Sequence, residues 1–282
     1  MISATFLQQQ TQEQCFKENF PIKIFAPKNY RKDLTTLYNF AREADNIADN
    51  HTVTDSEAIR ELQVWKTNLT KRTLSSNKWF NLYELIERKN LPIEELENLL
   101  EAFILDRTKD VVFQDHIDTL KYCRLSAIPV GRLIMALSRP EAPSSIQKID
   151  RLCIGLQLLN FYQDVAFDWQ VLSRQYIEQS DLDKAEISFK ELFESPKSWL
   201  LLKPILLDKL GIYLRKDGLE NLQSWDFFAQ TLLTFNFTEK AISKLRLTES
   251  IFQHSKLKWY DLLTTFNFYF YDRCRLLLRH SL

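Results

Sequence analysis

Apolar residues recur at helical steps along most of this chain, and the stretches between them mark the expected elements. The spacing predicts a helix from Arg31 to about Asn50, with no breaker inside it. A second, Asp55 to Arg72, carries Asp55 near its cap and Ile59, Leu62 and Leu69 on its apolar side. Ser75 to Lys78 reads as a polar connection, and Trp79 to Glu87 as a short helix ending before Asn90. Pro92 opens a helix running from Ile93 to Lys109, with Leu96, Leu99, Leu100 and Phe103 on one side. His116 to Ser138 is expected as one helix kinked at Pro129, because proline removes a backbone hydrogen bond. Two readings of that kink stand: plain packing, or a widened cavity in which Gly131 lets a ligand approach the backbone. A further helix opens at Ser144 and Ser145, contains Gly155 and ends near Trp169. Tyr176 to Lys190 is polar; helices follow at Pro196 to Leu214, Asn221 to Phe235 and Thr238 to His254. Phe20 to Lys28 reads as an extended lead-in after a flexible stretch over residues 1–16, and Trp259 to Leu282 as a closing aromatic segment. No repeat or linker divides the chain, so one all-α domain over residues 1–282 is expected.

Two of these helices carry acids where a buried helix should not. In the first, Tyr38, Arg42, Asp45 and Asp49 fall at steps of four, three and four; in the second, Asn160, Asp164 and Asp168 fall at steps of four. Such steps place each set on one helix face. Around the second set, Leu156, Leu158, Leu159, Phe161, Val165 and Phe167 leave little room for a solvated face. Carboxylates there need a cation or a metal. With oxygen donors and no His or Cys nearby, the suited ion is Mg²⁺, which keeps waters and bridges to substrate phosphates. Asp45 and Asp49 alone are what any solvated acidic face produces; it is the second set that gives them meaning. Arg42, one turn before Asp45, reads either as an intrahelical ion pair or as a contact for a diphosphate.

Composition narrows the picture. The 282 residues include four glycines, too few for an architecture of strands and turns. Twenty Phe, ten Tyr and six Trp imply an aromatic core or cavity, and Phe20, Tyr38, Phe40, Tyr122 and Phe161 are candidates to face a cationic intermediate. Lys plus Arg and Asp plus Glu balance at 37 each, which gives no reason to expect nucleic acid. Cys15, Cys123, Cys153 and Cys274 lack metal-type spacing; Cys123 and Cys153 read as free buried thiols. With no apolar leader and no run of about 20 apolar residues, the expectation is a cytoplasmic protein, or one peripheral on the inner membrane. The closing aromatic segment, ending in Arg273, Arg275 and Arg279, reads as core or as an interfacial helix on a membrane surface.

Phe40-Ala-Arg-Glu-Ala-Asp-Asn-Ile-Ala-Asp49 and Asn160-Phe-Tyr-Gln-Asp-Val-Ala-Phe-Asp168 resemble the two aspartate motifs of squalene and phytoene synthases. Glu18-Asn-Phe-Pro21, Leu99-Leu-Glu-Ala-Phe103, Tyr122-Cys-Arg-Leu-Ser-Ala-Ile-Pro-Val-Gly-Arg-Leu133 and Gly155-Leu-Gln-Leu-Leu-Asn160 are similar to the hydroxysqualene synthase branch. These pieces keep their order from about Lys17 to Tyr176 and thin out afterwards.

The resemblance implies an isoprenoid-synthase helical bundle around a central hydrophobic cavity, with Mg²⁺ at its mouth. It implies a lyase that ionises presqualene diphosphate and captures the rearranged cation with water as hydroxysqualene. Asp45, Asp49, Asn160, Asp164 and Asp168 would hold metal; Tyr38, Arg42, Tyr122 and Asp164 would serve catalysis; Phe20, Arg42, Gln157, Phe161, Arg174 and Tyr176 would contact substrate. Functional partners would be a presqualene diphosphate synthase and a hydroxysqualene reductase. Two departures stand out. Asn46 replaces the second acid of the usual Asp-Asp-x-x-Asp, and Arg174 follows Ser173 rather than the family's Gly, at altered spacing. Two other readings remain open: head-to-head condensation of two farnesyl diphosphates, and a non-catalytic assembly or binding protein of the same fold.

Overall fold

The computed structural model describes residues 26–253 and 255, apart from 51, 74–75, 109–111, 139–144, 218 and 223–225. Phe20, the lead-in before Ala26 and the closing aromatic segment lie outside the described residues.

The architecture is all-helical. Helix α1 spans Arg31–Ala48, α2 Asp55–Lys71, α3 Asn77–Lys89 and α4 Ile93–Arg107. Then come α5 His116–Leu125, α6 Ala127–Leu137, α7 Ser145–Leu172, the short α8 Gln179–Lys184 and α9 Glu191–Glu194, α10 Pro196–Tyr213 and α11 Phe228–Leu247. Among the described residues there is no strand, only an isolated parallel bridge between Val112 and Gln175. Local chemistry sets several ends. Thr54 and Glu57 form a capping box at the start of α2, and the Asp115 side chain accepts from the amides of Ile117 and Asp118 at the start of α5.

The expected helix over 116–138 is two helices. Pro129 has no N–H for the Leu125 carbonyl and its ring crowds that turn, so the chain breaks at Ser126 rather than bending. Gly131 serves packing, not ligand approach: a Cβ there would lie 2.6 Å from Cys153 Sγ and 2.7 Å from Ile149 Cγ2. Gly155 likewise admits Leu214, whose Cγ would be 2.6 Å from an added Cβ. The two expected helices over 221–254 are replaced by a 3₁₀ turn, Leu219–Leu222, and the single α11, which runs through Asn236 and Phe237 without a breaker. The polar stretch after Tyr176 holds α8, because Asp181 and Leu182 are fully buried there.

Helix α7 is a core helix, with Leu152, Leu158, Leu159, Phe161, Tyr162 and Val165 all buried. It packs most extensively on α6, then on α10. Two hydrophobic clusters result. One gathers α1 to α4 around Leu62, Leu69, Leu96 and Leu100; the other gathers Tyr122, Phe161 and Tyr176 with Trp199, Leu202 and Leu206 of α10. Phe40, a candidate to face a cation, belongs to the first cluster: its ring packs 5.8 Å from Trp65 and 6.1 Å from Trp79, so it is core.

Candidate active site

The α1 acids are not isolated. Arg42 donates to Asp45 Oδ2 at 2.7 Å, which is the intrahelical pair the spacing allowed. Asp49 caps the C-terminal end of α1, where the helix dipole disfavours a negative charge. A cation offsets this: Arg174 Nη2 lies 3.0 Å from Asp49 Oδ1. Arg107, its side chain buried, donates to the carbonyls of Ala48 and Val53 at 3.3 and 3.0 Å and so fixes the backbone beside Asp49. Asn46 is exposed and Tyr38 half-buried.

On α7, Asp164 and Asp168 are buried, at 6% and 8% exposure, while Asn160 is exposed and Gln157 half-buried. After Leu172 the chain turns through Ser173, which holds a left-handed φ of 56°. Backbone bonds from Ser173 N to the Trp169 carbonyl and from Arg174 N to the Asp168 carbonyl close the helix. That turn brings Arg174 back toward α1. The altered spacing before Arg174 therefore does not remove it from the acids.

Sequence reasoning missed the residue at the centre of this network. Asp106, in the last turn of α4, has a side chain 8% exposed. Tyr122 donates its hydroxyl to Asp106 at 3.0 and 2.9 Å, and Tyr176 donates to Oδ1 at 2.9 Å. Arg174 Nε donates to the Asp106 carbonyl at 3.3 Å, with its Nη1 3.9 Å from Oδ2. A signal existed. Leu99, Phe103 and Asp106 fall at steps of four and three, so the acid shares an apolar face, the same anomaly that exposed Asp164.

Beside Asp106 stands an aromatic wall. Phe161 stacks on Tyr176 with centroids 4.1 Å apart and planes 15° off parallel; Phe113 and Tyr122 close the group at 5.6 to 6.1 Å. Phe113 was also missed. Burial, and then the Asp106 charge, push both tyrosine hydroxyls well above their usual range. Burial raises the Asp106 carboxyl too, opposed by Arg174 and the two hydroxyl bonds. Burial works against the Arg174 charge, but Asp106, Tyr176 and Asp49 more than compensate and hold it protonated.

Among the described residues no group of three His, Cys, Asp or Glu side chains is close enough to hold a metal by itself. The donors fit Mg²⁺ only in its usual manner, one or two carboxylates completed by water and phosphate oxygens. Cys123 and Cys153 are free thiols, pushed by burial up to about 12. No described helix is long and apolar enough to cross a membrane.

The model of the squalene/phytoene synthase family matches residues 18–208. Hydroxysqualene synthase of Sinorhizobium fredii is 28% identical over 253 residues, 88% of this chain and 86% of that protein. Hydroxysqualene synthase of Rhodopseudomonas palustris is 32% identical over 187 residues, 66% of this chain and 63% of that protein. Among solved structures, squalene synthase HpnC from Alicyclobacillus acidocaldarius superposes with a TM-score of 0.71 at 21% identity, covering 86% of this chain and 92% of that one. A dehydrosqualene synthase in complex with ligand superposes with a TM-score of 0.77 at 17% identity, covering 94% and 97%.

Proposed function

The chain belongs to the squalene/phytoene synthase family, and from that premise we propose that it converts presqualene diphosphate to hydroxysqualene and diphosphate. The relatives named hydroxysqualene synthase favour this branch over condensation: the presqualene diphosphate synthase of Zymomonas mobilis is 26% identical over 163 residues, a shorter and weaker match.

The observation that carries the reading is Arg174, which joins Asp49 at the end of α1 to Asp106 and the aromatic wall. A diphosphate leaving group needs positive charge, and a carbocation needs a dry aromatic surface; this network sets the two side by side. Arg42 and Arg174 would bond diphosphate oxygens, for which a planar guanidinium is suited. Asp45 and Asp49 on α1, with Asn160, Asp164 and Asp168 on α7, would hold Mg²⁺. When bound, the metal supplies charge that stabilises the departing diphosphate. The C–O bond breaks with its electron pair leaving on diphosphate. The ring faces of Phe161, Tyr176 and Tyr122 favour the cation that remains. Its cyclopropane opens, a water oxygen forms the new C–O bond, and that oxygen gives up a proton to the released diphosphate.

The test supplies purified protein and Mg²⁺ with presqualene diphosphate or farnesyl diphosphate and identifies products by mass spectrometry. Hydroxysqualene from presqualene diphosphate alone is the expected result. Consumption of farnesyl diphosphate would replace this reading with condensation, and inertness toward both would leave a non-catalytic protein of this fold.

A further inference from the structure

Asp106 is an expensive residue to place where it is. A buried carboxylate costs several kcal/mol to desolvate, and an apolar residue of similar size would serve packing better. Yet one carboxylate here gathers donors from distant parts of the chain: Tyr122 on α5, and Tyr176 and Arg174 on the segment after α7. Arg174 in turn reaches Asp49 on α1. Asp106 thus ties α4, α5, the end of α7 and the end of α1 into one unit: its carboxylate accepts from the two phenols and faces the guanidinium at 3.9 Å, while its backbone carbonyl accepts from Arg174 Nε.

We propose that Asp106 is the positioning residue of this site. It does not act on substrate; it sets Tyr122, Tyr176 and Arg174 relative to one another. This rests on the reaction proposed above and assigns a residue role within it. The polarity of the bonds matters as much as their geometry. The phenol protons are taken up within this cluster, by the carboxylate and between the two hydroxyls, so the phenol oxygens offer lone pairs to what lies beyond them. Such an oxygen can accept a bond from water or face a cation, but has no proton to give. The charge of the same carboxylate lies 3.9 Å from Arg174 Nη1, beside the carbonyl bond to Nε, while Nη2 reaches Asp49 on α1. An amide cannot replace it. Asn carries one acceptor oxygen and an NH₂ group: with that oxygen at Oδ1, where both phenols donate, the NH₂ stands in place of Oδ2, so both phenols lose a charged acceptor, Tyr122 loses its second contact and Arg174 loses a counter-charge.

Asp106→Asn and Asp106→Glu test the proposal with two measurements. In steady-state turnover of presqualene diphosphate, Asp106→Asn is expected to lower kcat by about 100-fold with KM within about threefold, as for loss of alignment rather than of binding. Asp106→Glu, which keeps the charge, is expected to recover part of that loss. The second measurement does not depend on the reaction. In protein labelled with ¹³C at the hydroxyl-bearing ring carbon of tyrosine, NMR at neutral pH reports each phenol's hydrogen bond, with Tyr122→Phe and Tyr176→Phe assigning the signals. Both signals are expected to move in Asp106→Asn. Wild-type kcat in Asp106→Asn, or unmoved tyrosine signals, would overturn the proposal. If wild-type protein turns over neither diphosphate, the proposed reaction fails and the NMR result alone decides the role of Asp106.

Discussion

Ser173 holds a left-handed backbone that an L side chain adopts at a cost and that glycine adopts freely. Ser173→Gly is therefore expected to raise stability by about 0.5–1 kcal/mol, read from urea denaturation midpoints. Asp164 makes the opposite kind of prediction. If this buried acid of α7 holds Mg²⁺ as proposed, it is indispensable to turnover: Asp164→Ala is expected to lower kcat at least about 100-fold while the far-ultraviolet circular dichroism stays that of the folded protein. Unchanged rates would remove Asp164 from the metal set. At this scale the sequence was most legible where an acid interrupts an apolar helix, because helical steps alone place Asp164 and Asp168 together. It was least legible for Asp106, whose partners lie 16 to 70 residues away and are brought to it by tertiary packing alone.

Between helices, contact is set by what is missing from a side chain. Gly155 on α7 receives Leu214 and Tyr213 from the end of α10, and an added methyl would meet Leu214 Cγ at 2.6 Å and Tyr213 Cβ at 3.1 Å. Alanine is the better helix former by about 1 kcal/mol, but overpacking a tight helix contact costs about 1–3 kcal/mol. Gly155→Ala is thus expected to destabilise. Gly211→Ala on α10 meets nothing within 4 Å and is expected to stabilise by up to about 1 kcal/mol. Equal effects from the two substitutions would contradict the packing role of Gly155. Helix limits such as Arg31–Ala48 and Asp55–Lys71 were readable to within two residues, because caps and periodicity are local. The break at Ser126, the continuity of α11 and the short α8 were not. Pro129 marked a kink in the sequence, but not that the chain would break there; the other two depend on which neighbour covers the segment, and hydropathy along one strand of sequence does not carry that.

Across the whole molecule, two buried acids show how function and stability are divided. Glu178 belongs to a network outside the site. It accepts from Lys209 Nζ at 2.5 Å and Thr119 Oγ1 at 2.8 Å, and shares a hydrogen bond with His116, fastening the chain after Tyr176 to α5 and α10. Burial would raise its carboxyl, but His116 and Lys209 outweigh burial and hold it down to about 2. A carboxyl lowered on folding contributes stability above its unfolded value of about 4.3, and loses it as pH falls toward about 2. Asp106 has the opposite sign. Its carboxyl is raised on folding, so its favourable contribution is present at low pH and disappears as pH rises through the folded value. At neutral pH Glu178 therefore supports the fold while Asp106 strains it. Glu178→Gln is expected to lower neutral-pH stability by about 2 kcal/mol and to flatten the loss of stability below about pH 4.3. Asp106→Asn should leave neutral-pH stability within about 1 kcal/mol of wild type, or above it, even as turnover falls. Urea denaturation of both variants at neutral and acid pH measures the contrast. A large stability loss in Asp106→Asn would make Asp106 a structural residue like Glu178, whereas its absence marks a carboxylate kept at the fold's expense for the arrangement it imposes on Tyr122, Tyr176 and Arg174.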